Sequence, residues 1–238
     1  MSHSEADAKR RYVAHLFGGI AHGYDRMNTV MTAGRHHAWR RRAAQKAAEG
    51  LTGIALDVAT GTGDLAIALA RLPGVETVVG LDLVGSMLLL AQAKLGRTDC
   101  RGRVTLVRGD ALALPFPAGA FACVASGFSL RNVPDLGGSL AEMVRVLRPG
   151  GRLVSLEIVP TEGRVLGPLL RSSFRHLAPL AGAVLARDRA SYAYLPHSVD
   201  RFPPASRLAE MFRELGLRDV GYQRLGLGMV AIHWGTKP

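Results

Sequence analysis

Residues 54–71 read Ile-Ala-Leu-Asp-Val-Ala-Thr-Gly-Thr-Gly-Asp-Leu-Ala-Ile-Ala-Leu-Ala-Arg. The apolar run Ile54–Ala59 is short and bounded by turn residues, which predicts a buried strand. A helix is predicted over Asp64–Arg71, so that Thr60-Gly61-Thr62-Gly63 becomes a strand-to-helix turn. Glycines there let a ligand come close to the backbone, and α/β folds hold nucleotide ligands at this turn. The spacing Gly61-x-Gly63-x-x-Ala66 also fits the relaxed dinucleotide fingerprint. Glycine spacing alone therefore does not choose a cofactor, and a tight turn without a ligand would use the same residues.

The alternation continues outward. Strands are predicted at Glu76–Asp82, Arg103–Arg108, Ala120–Ser126 and Arg152–Val159, with helices at Gly85–Leu95 and Leu136–Leu147 between them. Short β-branched runs alternating with helical stretches imply βαβ units and a parallel sheet covered on both faces. A helical segment follows from about Glu162 to Arg189, then a helix near Ser206–Leu215 and strands at Asp219–Leu225 and Met229–Trp234. Only Gly226-Leu227-Gly228 joins the last two strands, which is too short for a crossover and demands an antiparallel hairpin. The expected fold is a doubly wound α/β domain with seven strands, mostly parallel, an antiparallel last strand and a helical lid insertion. One domain fits the length: a helical cap over 1–50, a cofactor-binding core over 51–160, a lid over 161–205, and a C-terminal helix and hairpin over 206–238.

Composition narrows the partners. The chain has 238 residues, 48% hydrophobic and 21% charged, which excludes a largely disordered protein. A formal net charge of +11 suggests an anionic partner, nucleic acid or a phospholipid surface, although a solvated basic surface has the same composition. Two cysteines, Cys100 and Cys123, give neither a disulfide framework nor metal-ligand spacing, so no metal is expected and a reducing cytoplasm fits best. The N-terminal stretch lacks the apolar core of a signal peptide. Residues 111–130 carry no charge, but Pro115, Pro117 and Gly119 break them into a loop and a strand rather than a membrane span.

Charge separates the cofactors better than glycine does. A pyrophosphate at this helix N-terminus would meet Asp57 and Asp64. S-adenosylmethionine brings an ammonium and a sulfonium, which carboxylates favour. Asp64 as a helix cap is the other reading. Asp82 ends the second strand, where a carboxylate accepts from ribose hydroxyls, and Asp110 in Gly109-Asp110-Ala111 ends the third, positioned for an adenine amino group.

The chain also carries Phe17-x-x-Ile20-Ala21-x-x-Tyr24-Asp25-x-Met27-Asn28, Leu56–Asp64, Gly109-Asp110-Ala111-x-x-Leu114-Pro115-Phe116-Pro117 and Phe128-Ser129-Leu130-Arg131-Asn132-Val133. Further on stand Glu142-Met143-x-Arg145-Val146-Leu147-Arg148-Pro149-Gly150-Gly151, Ser191-Tyr192-x-Tyr194-Leu195-Pro196 and Ala231-x-His233-x-Gly235-x-Lys237-Pro238. In these blocks and their order it resembles the ubiquinone/menaquinone biosynthesis C-methyltransferases, from about Val13 to Pro238. The resemblance implies S-adenosylmethionine-dependent methylation of a ring carbon of a prenylated quinol, a demethylmenaquinol or a 2-methoxy-6-polyprenyl-benzoquinol. A methyltransferase acting on another small molecule or on RNA is the alternative, but no basic-aromatic tract or RNA-binding module supports nucleic acid.

Cofactor contacts in that family fall on positions matching Thr62, Asp82, Asp110 and Ala111, with Gly127 a fifth that could act only through backbone. Asp57, Gly61 and Gly63 complete the expected cofactor set. Ser129 stands where the family usually has glycine, which puts the local turn in question. Arg131 and Asn132 are the catalytic candidates: Arg131 could stabilise a developing phenolate on the quinol, while a loop-anchoring pair bonded to backbone carbonyls is the alternative. Tyr24, Tyr192, Tyr194 and His233 are candidate pocket-lining groups, His233 being more often a core histidine.

The basic segment after the fifth strand is expected to dock on an anionic membrane. On a helix, Leu166, Leu169, Leu170, Phe174 and Leu177 would share one face and Arg171 and Arg175 the opposite one. Packing of that apolar face on the sheet is the alternative. The expected location is cytoplasmic, with peripheral contact at the inner face of the membrane, and homo-oligomerisation is left open.

Overall fold

The computed structural model describes residues 3–161 and 197–238. Two helices come first, α1 (His3–Met31) and α2 (Arg35–Ala48). The core then alternates β1 (Gly53–Val58), α3 (Asp64–Ala70), β2 (Val75–Asp82), α4 (Gly85–Leu95), β3 (Val104–Arg108), β4 (Phe121–Gly127), α5 (Leu136–Val146) and β5 (Leu147–Ile158). Beyond residue 196 follow α6 (Ala205–Glu214), β6 (Arg218–Leu225) and β7 (Val230–Thr236). The interfacial helix expected around Leu166–Val184, with Arg171 and Arg175, lies outside the described residues, as do Tyr192 and Tyr194.

All seven strands form one sheet in the order β3-β2-β1-β4-β5-β7-β6. β7 runs antiparallel to both neighbours, β5 and β6, and the other pairings are parallel. The last strand therefore fills the slot beside β5, and β6 becomes the edge. Gly226 (φ 56°), Leu227 (φ 57°) and Gly228 (φ 87°) all hold left-handed backbone in the connection. Two glycines adopt that conformation without the Cβ penalty, which is why so short a link can reverse the chain.

Core residues lie on both sheet faces, as a mostly parallel sheet requires. On one face Ala43, Ala44 and Ala47 of α2 and Leu65, Ala66 and Leu69 of α3 pack against Ala55, Val78, Ala125 and Val154. Leu140 and Met143 of α5 and Leu208 and Phe212 of α6 cover Leu56, Val58, Val124 and Leu153 on the other.

β5 begins five residues earlier than expected from the Arg148-Pro149-Gly150-Gly151 stop signal. Phe121 pairs with Leu147, Cys123 pairs with Arg152, and an irregularity between them absorbs the extra residues. The Lys237 ammonium donates to the carbonyls of Val144 (2.8 Å) and Leu147 (2.7 Å) at the end of α5. Those carbonyls have no partner within the helix, so a cation satisfies them and opposes the helix dipole. The chain order reverses between β1 and β4, and such a switch point opens a crevice at the carboxyl ends of the strands.

Candidate active site

The turn after β1 is held from below. Asp57 is buried and its Oδ2 accepts from the Thr60 hydroxyl at 2.6 Å. Gly61 (φ 57°) and Gly63 (φ 84°) both occupy left-handed backbone. A Cβ on Gly61 would meet no protein atom within 4 Å and would project into the space in front of the turn. At Gly63 the same atom would press on Ala91 of α4 at 3.3 Å, so that glycine serves helix packing instead.

Asp82, at the end of β2, is buried and accepts from the Gly61 amide at 2.7 Å and the Val84 amide at 2.8 Å. One carboxylate thus fixes the glycine turn to the start of α4, and its two oxygens keep further acceptor capacity for a ligand. Burial raises its pKa above the ordinary carboxylate value, and the bonds from the Val84, Gly61 and Leu83 amides oppose the shift.

A cavity opens over this edge. Its walls include Gly61, Asp82, Gly109, Asp110, Ala111, Gly127, Ser129 and Asn132 from the sheet side, and Val13, Phe17 and Tyr24 from α1. The structure therefore brings six of the ten candidate site residues together: Gly61, Asp82, Asp110, Ala111, Gly127 and Asn132. Asp57, Thr62, Gly63 and Arg131 are not among the residues that line it.

Each of those four has a structural explanation. Asp57 and Gly63 shape the turn as described. Thr62 is buried; its hydroxyl donates to Asp25 Oδ1 at 2.6 Å and accepts from Lys94 Nζ at 3.0 Å. Lys94 also pairs with Asp25 of α1 and Asp64 of α3, both at 2.6 Å, so Thr62 belongs to a charged seam that ties α1 to the core. Burial alone would raise the Asp64 pKa, but the Arg40 and Lys94 charges hold it below its usual value.

Arg131, expected to act on the reacting quinol, has its guanidinium turned into the protein. Its guanidinium donates to the Phe128 carbonyl and pairs with Glu157 Oε2 at 3.0 Å, with only 6% of the side chain exposed. The loop-anchoring alternative describes this placement. A fully buried carboxylate draws a nearby guanidinium because either charge alone would be costly to bury.

His233 is also inside the protein: its Nε2 donates to the Ala205 carbonyl at 2.9 Å and its ring stacks on Tyr222. Burial lowers its pKa to about 4, which leaves the ring neutral near pH 7.

Tyr24 of α1 lines the cavity as expected, whereas sequence reasoning missed Glu157, Arg10 and the other α1 lining residues, Val13 and Phe17. Arg10 Nε lies 2.8 Å from Asp110 Oδ2, so α1 caps the Asp110 end of the cavity with a charge contact. His36, His37 and Asp64 converge closely enough to suggest a metal site, but Arg40 donates to His36 and both Arg40 and Lys94 face Asp64, so the cluster already holds two cations.

The model of the ubiE/COQ5 methyltransferase family matches residues 5–237. The chain belongs to that family. This methyltransferase is 41% identical over 235 residues to the demethylmenaquinone methyltransferase of Roseiflexus castenholzii, covering 97% of this chain and 95% of the relative. It is 43% identical to the protein of the same name from Deinococcus radiodurans, covering 96% and 94%. The ubiquinone/menaquinone biosynthesis C-methyltransferase UbiE of Desulfotalea psychrophila is 41% identical, with 94% and 90% covered. Among solved structures, an S-adenosylmethionine-dependent methyltransferase from Thermotoga maritima aligns with a TM-score of 0.64 at 18% identity, covering 94% of this methyltransferase and 99% of that chain. At that identity the structure shares the fold. The expected seven-stranded, mostly parallel methyltransferase architecture is the observed one.

A pH test follows from Asp57. Burial, only partly opposed by the Thr60 hydroxyl and the Arg40 charge, raises its pKa to about 7 from an ordinary 3.8. The folded state thus favours the protonated acid. That contribution is fully present below about pH 4 and is lost as pH rises through about 7. Thermal melts of the parent and Asp57→Asn, which cannot ionise, should diverge over this window, with the parent losing a few degrees relative to the variant. Parallel curves would mean that Asp57 titrates at its ordinary value.

Proposed function

We propose that this methyltransferase uses S-adenosylmethionine to methylate a ring carbon of a prenylated quinol, with demethylmenaquinol as substrate and the methoxybenzoquinol as the alternative. The observation that carries the reading is the mixed lining of the cavity. The buried carboxylate of Asp82 and the open face of Gly61 line it together with the apolar and aromatic side chains of Phe17, Tyr24, Phe128 and Val133. The relatives' names supply the substrate class.

The lining fits the cofactor. Asp82 would accept from the ribose hydroxyls, Asp110 and the Ala111 backbone would take the adenine, and the Gly127 backbone would border it. When bound, S-adenosylmethionine supplies an electrophilic methyl group on a sulfonium. The protein must then hold the quinol carbon in line and exclude water. The apolar lining would exclude water once both ligands are bound. Asn132 is buried, and its Oδ1 has no hydrogen-bond partner among the described residues. A buried acceptor without a donor is costly, and we assign it to a quinol hydroxyl, which it would orient and polarise toward the phenolate.

Mass spectrometry should show one added methyl on reduced demethylmenaquinone, with more product than from the benzoquinol. Binding of S-adenosylhomocysteine without methylation of either quinol would refute the substrate.

We also propose transient contact with an anionic membrane. A net charge of +11 and the insolubility of a prenylated substrate support it. No helix among the described residues is long and apolar enough to cross a membrane. In vesicle sedimentation, binding should favour anionic over neutral lipid, fall with salt, and weaken in an Arg171→Ala/Arg175→Ala variant. Equal partitioning to both lipids would exclude an electrostatic contact.

A further inference from the structure

Glu157 is a charge in a place where the sequence otherwise puts apolar residues. It lies on β5 between Leu156 and Ile158, opposite Ala231 of β7, and is fully buried. Its Oε1 accepts from the amides of both Ser129 and Leu130, the latter at 2.6 Å. Its Oε2 faces Arg131 Nη1 at 3.0 Å, and Arg131 in turn donates to the Phe128 carbonyl. One carboxylate thus holds three consecutive residues of the segment that leaves β4, and through Arg131 a fourth, Phe128.

That segment is bent in a way its residues do not favour alone. Phe128 has φ 62°, left-handed backbone that a bulky side chain seldom adopts. Its amide donates to the Leu156 carbonyl at 2.7 Å, next to Glu157. The bend is followed by a short 3-10 turn, Leu130–Asn132, closed by the Asn132 amide on the Ser129 carbonyl at 2.9 Å. The result is that Phe128, Ser129, Asn132 and Val133 all reach the cavity wall while Arg131 points into the protein. Strained backbone persists where its surroundings over-determine it, and here the carboxylate does so.

We propose that Glu157 is a positioning residue for methyl transfer: by binding the Ser129 and Leu130 amides and the Arg131 guanidinium, it fixes the loop that presents Ser129 and Asn132 to the substrate. Glu157 is fully buried and is not among the residues that line the cavity. This assignment rests on the proposed quinol chemistry for its kinetic consequence, and on the loop geometry alone for its structural one. The cofactor edge, Asp82, Asp110 and the glycine turn, is built on β1, β2 and β3 and does not depend on Glu157.

The test separates loop shape from overall folding. Glu157→Gln keeps an oxygen for the amides but presents an N–H to Arg131; Glu157→Leu/Arg131→Met removes both charges and every acceptor, so that it folds without an unpaired buried ion. Both are expected to bind S-adenosylhomocysteine within threefold of the parent. Turnover of reduced demethylmenaquinone should fall at least tenfold in the single variant and stay at least tenfold low in the double variant even where its melting temperature returns to the parent's. Amide hydrogen exchange, read with S-adenosylhomocysteine bound, should quicken at least tenfold across residues 128–132 and stay unchanged in α3. If the parent methylates no quinol, the substrate reading fails while the exchange experiment still decides the positioning role. A double variant with parental turnover, exchange spreading across the whole sheet, or cofactor affinity falling in step with turnover would each overturn the proposal.

Discussion

Replacing Asp82 with alanine is expected to weaken S-adenosylhomocysteine binding by roughly one to two orders of magnitude. A hydrogen bond to a charged group contributes about 1.5–3 kcal/mol, and each 1.4 kcal/mol is tenfold in affinity. Asp82 does more than meet a ribose. It accepts from the amides of Gly61 and Val84 at 2.7 and 2.8 Å, so its loss also frees the glycine turn from the start of α4. Asp82→Asn separates the two roles. The amide keeps one acceptor but turns an N–H2 toward Gly61 or Val84, where a donor already points, so binding should fall nearly as far although the side-chain volume is preserved. Isothermal titration against a folded variant measures this. An affinity within threefold of the parent would remove Asp82 from the cofactor site.

The second large effect concerns stability. Arg131→Met leaves the Glu157 carboxylate buried with no countercharge, and breaking a buried pair from one side costs about 3–5 kcal/mol. At about 2–4 °C per kcal/mol for a chain of this size, the melting temperature should drop by roughly 6–20 °C. The pH dependence has a fixed sign. Burial already raises the Glu157 pKa, with Arg131 and the Leu130 amide opposing it. Without Arg131 the rise is larger, so the deficit is smallest in acid, where Glu157 is protonated in both states, and grows as pH rises toward neutrality. Adding Glu157→Gln should restore most of the loss. Melts across pH for the single and double variants decide it: a pH-independent change of less than 2 °C in Arg131→Met would mean the pair carries no stability. Had Arg131 instead faced the reacting quinol, its loss would have lowered turnover and left the melting temperature nearly unchanged.

These two residues mark the boundary of what the sequence makes legible. Asp82 can be read directly, because a strand end, a glycine turn one βα unit earlier and a carboxylate are all local features, and the switch point puts them on one edge. The same holds for Gly61, Asp110, Ala111 and Gly127. Arg131 lies in an equally recognisable block, but block membership says nothing of which way a side chain points. Its direction is set by Glu157, 26 residues later in the chain. One signal for Glu157 was present: a lone acid within Leu153-Val154-Ser155-Leu156-Glu157-Ile158-Val159, a strand otherwise built for burial, must find a partner. Which partner it finds is not a local property.

Thr62 shows the same limit. Its place beside the glycine turn was evident, but its hydroxyl lies between Asp25 of α1 and Lys94 of α4. Neither helix is near it in the chain, and the seam exists only once both have packed.

The sequence by itself determined the α/β class, the seven strands, the hairpin and the edge on which the carboxylates gather. Those follow from periodicity of two and 3.6 residues, from glycine's backbone freedom and from the cost of burying polar groups, all of which act over a few neighbouring residues. Only the tertiary structure decided that Phe17 joins the expected Tyr24 on the cavity side of α1, that Arg10 meets Asp110, and that Arg131 turns inward to Glu157 while Asn132 lines the cavity. Those are pairings between distant segments, and a buried charge or an unpaired acceptor takes whichever partner the packed chain brings within about 3 Å.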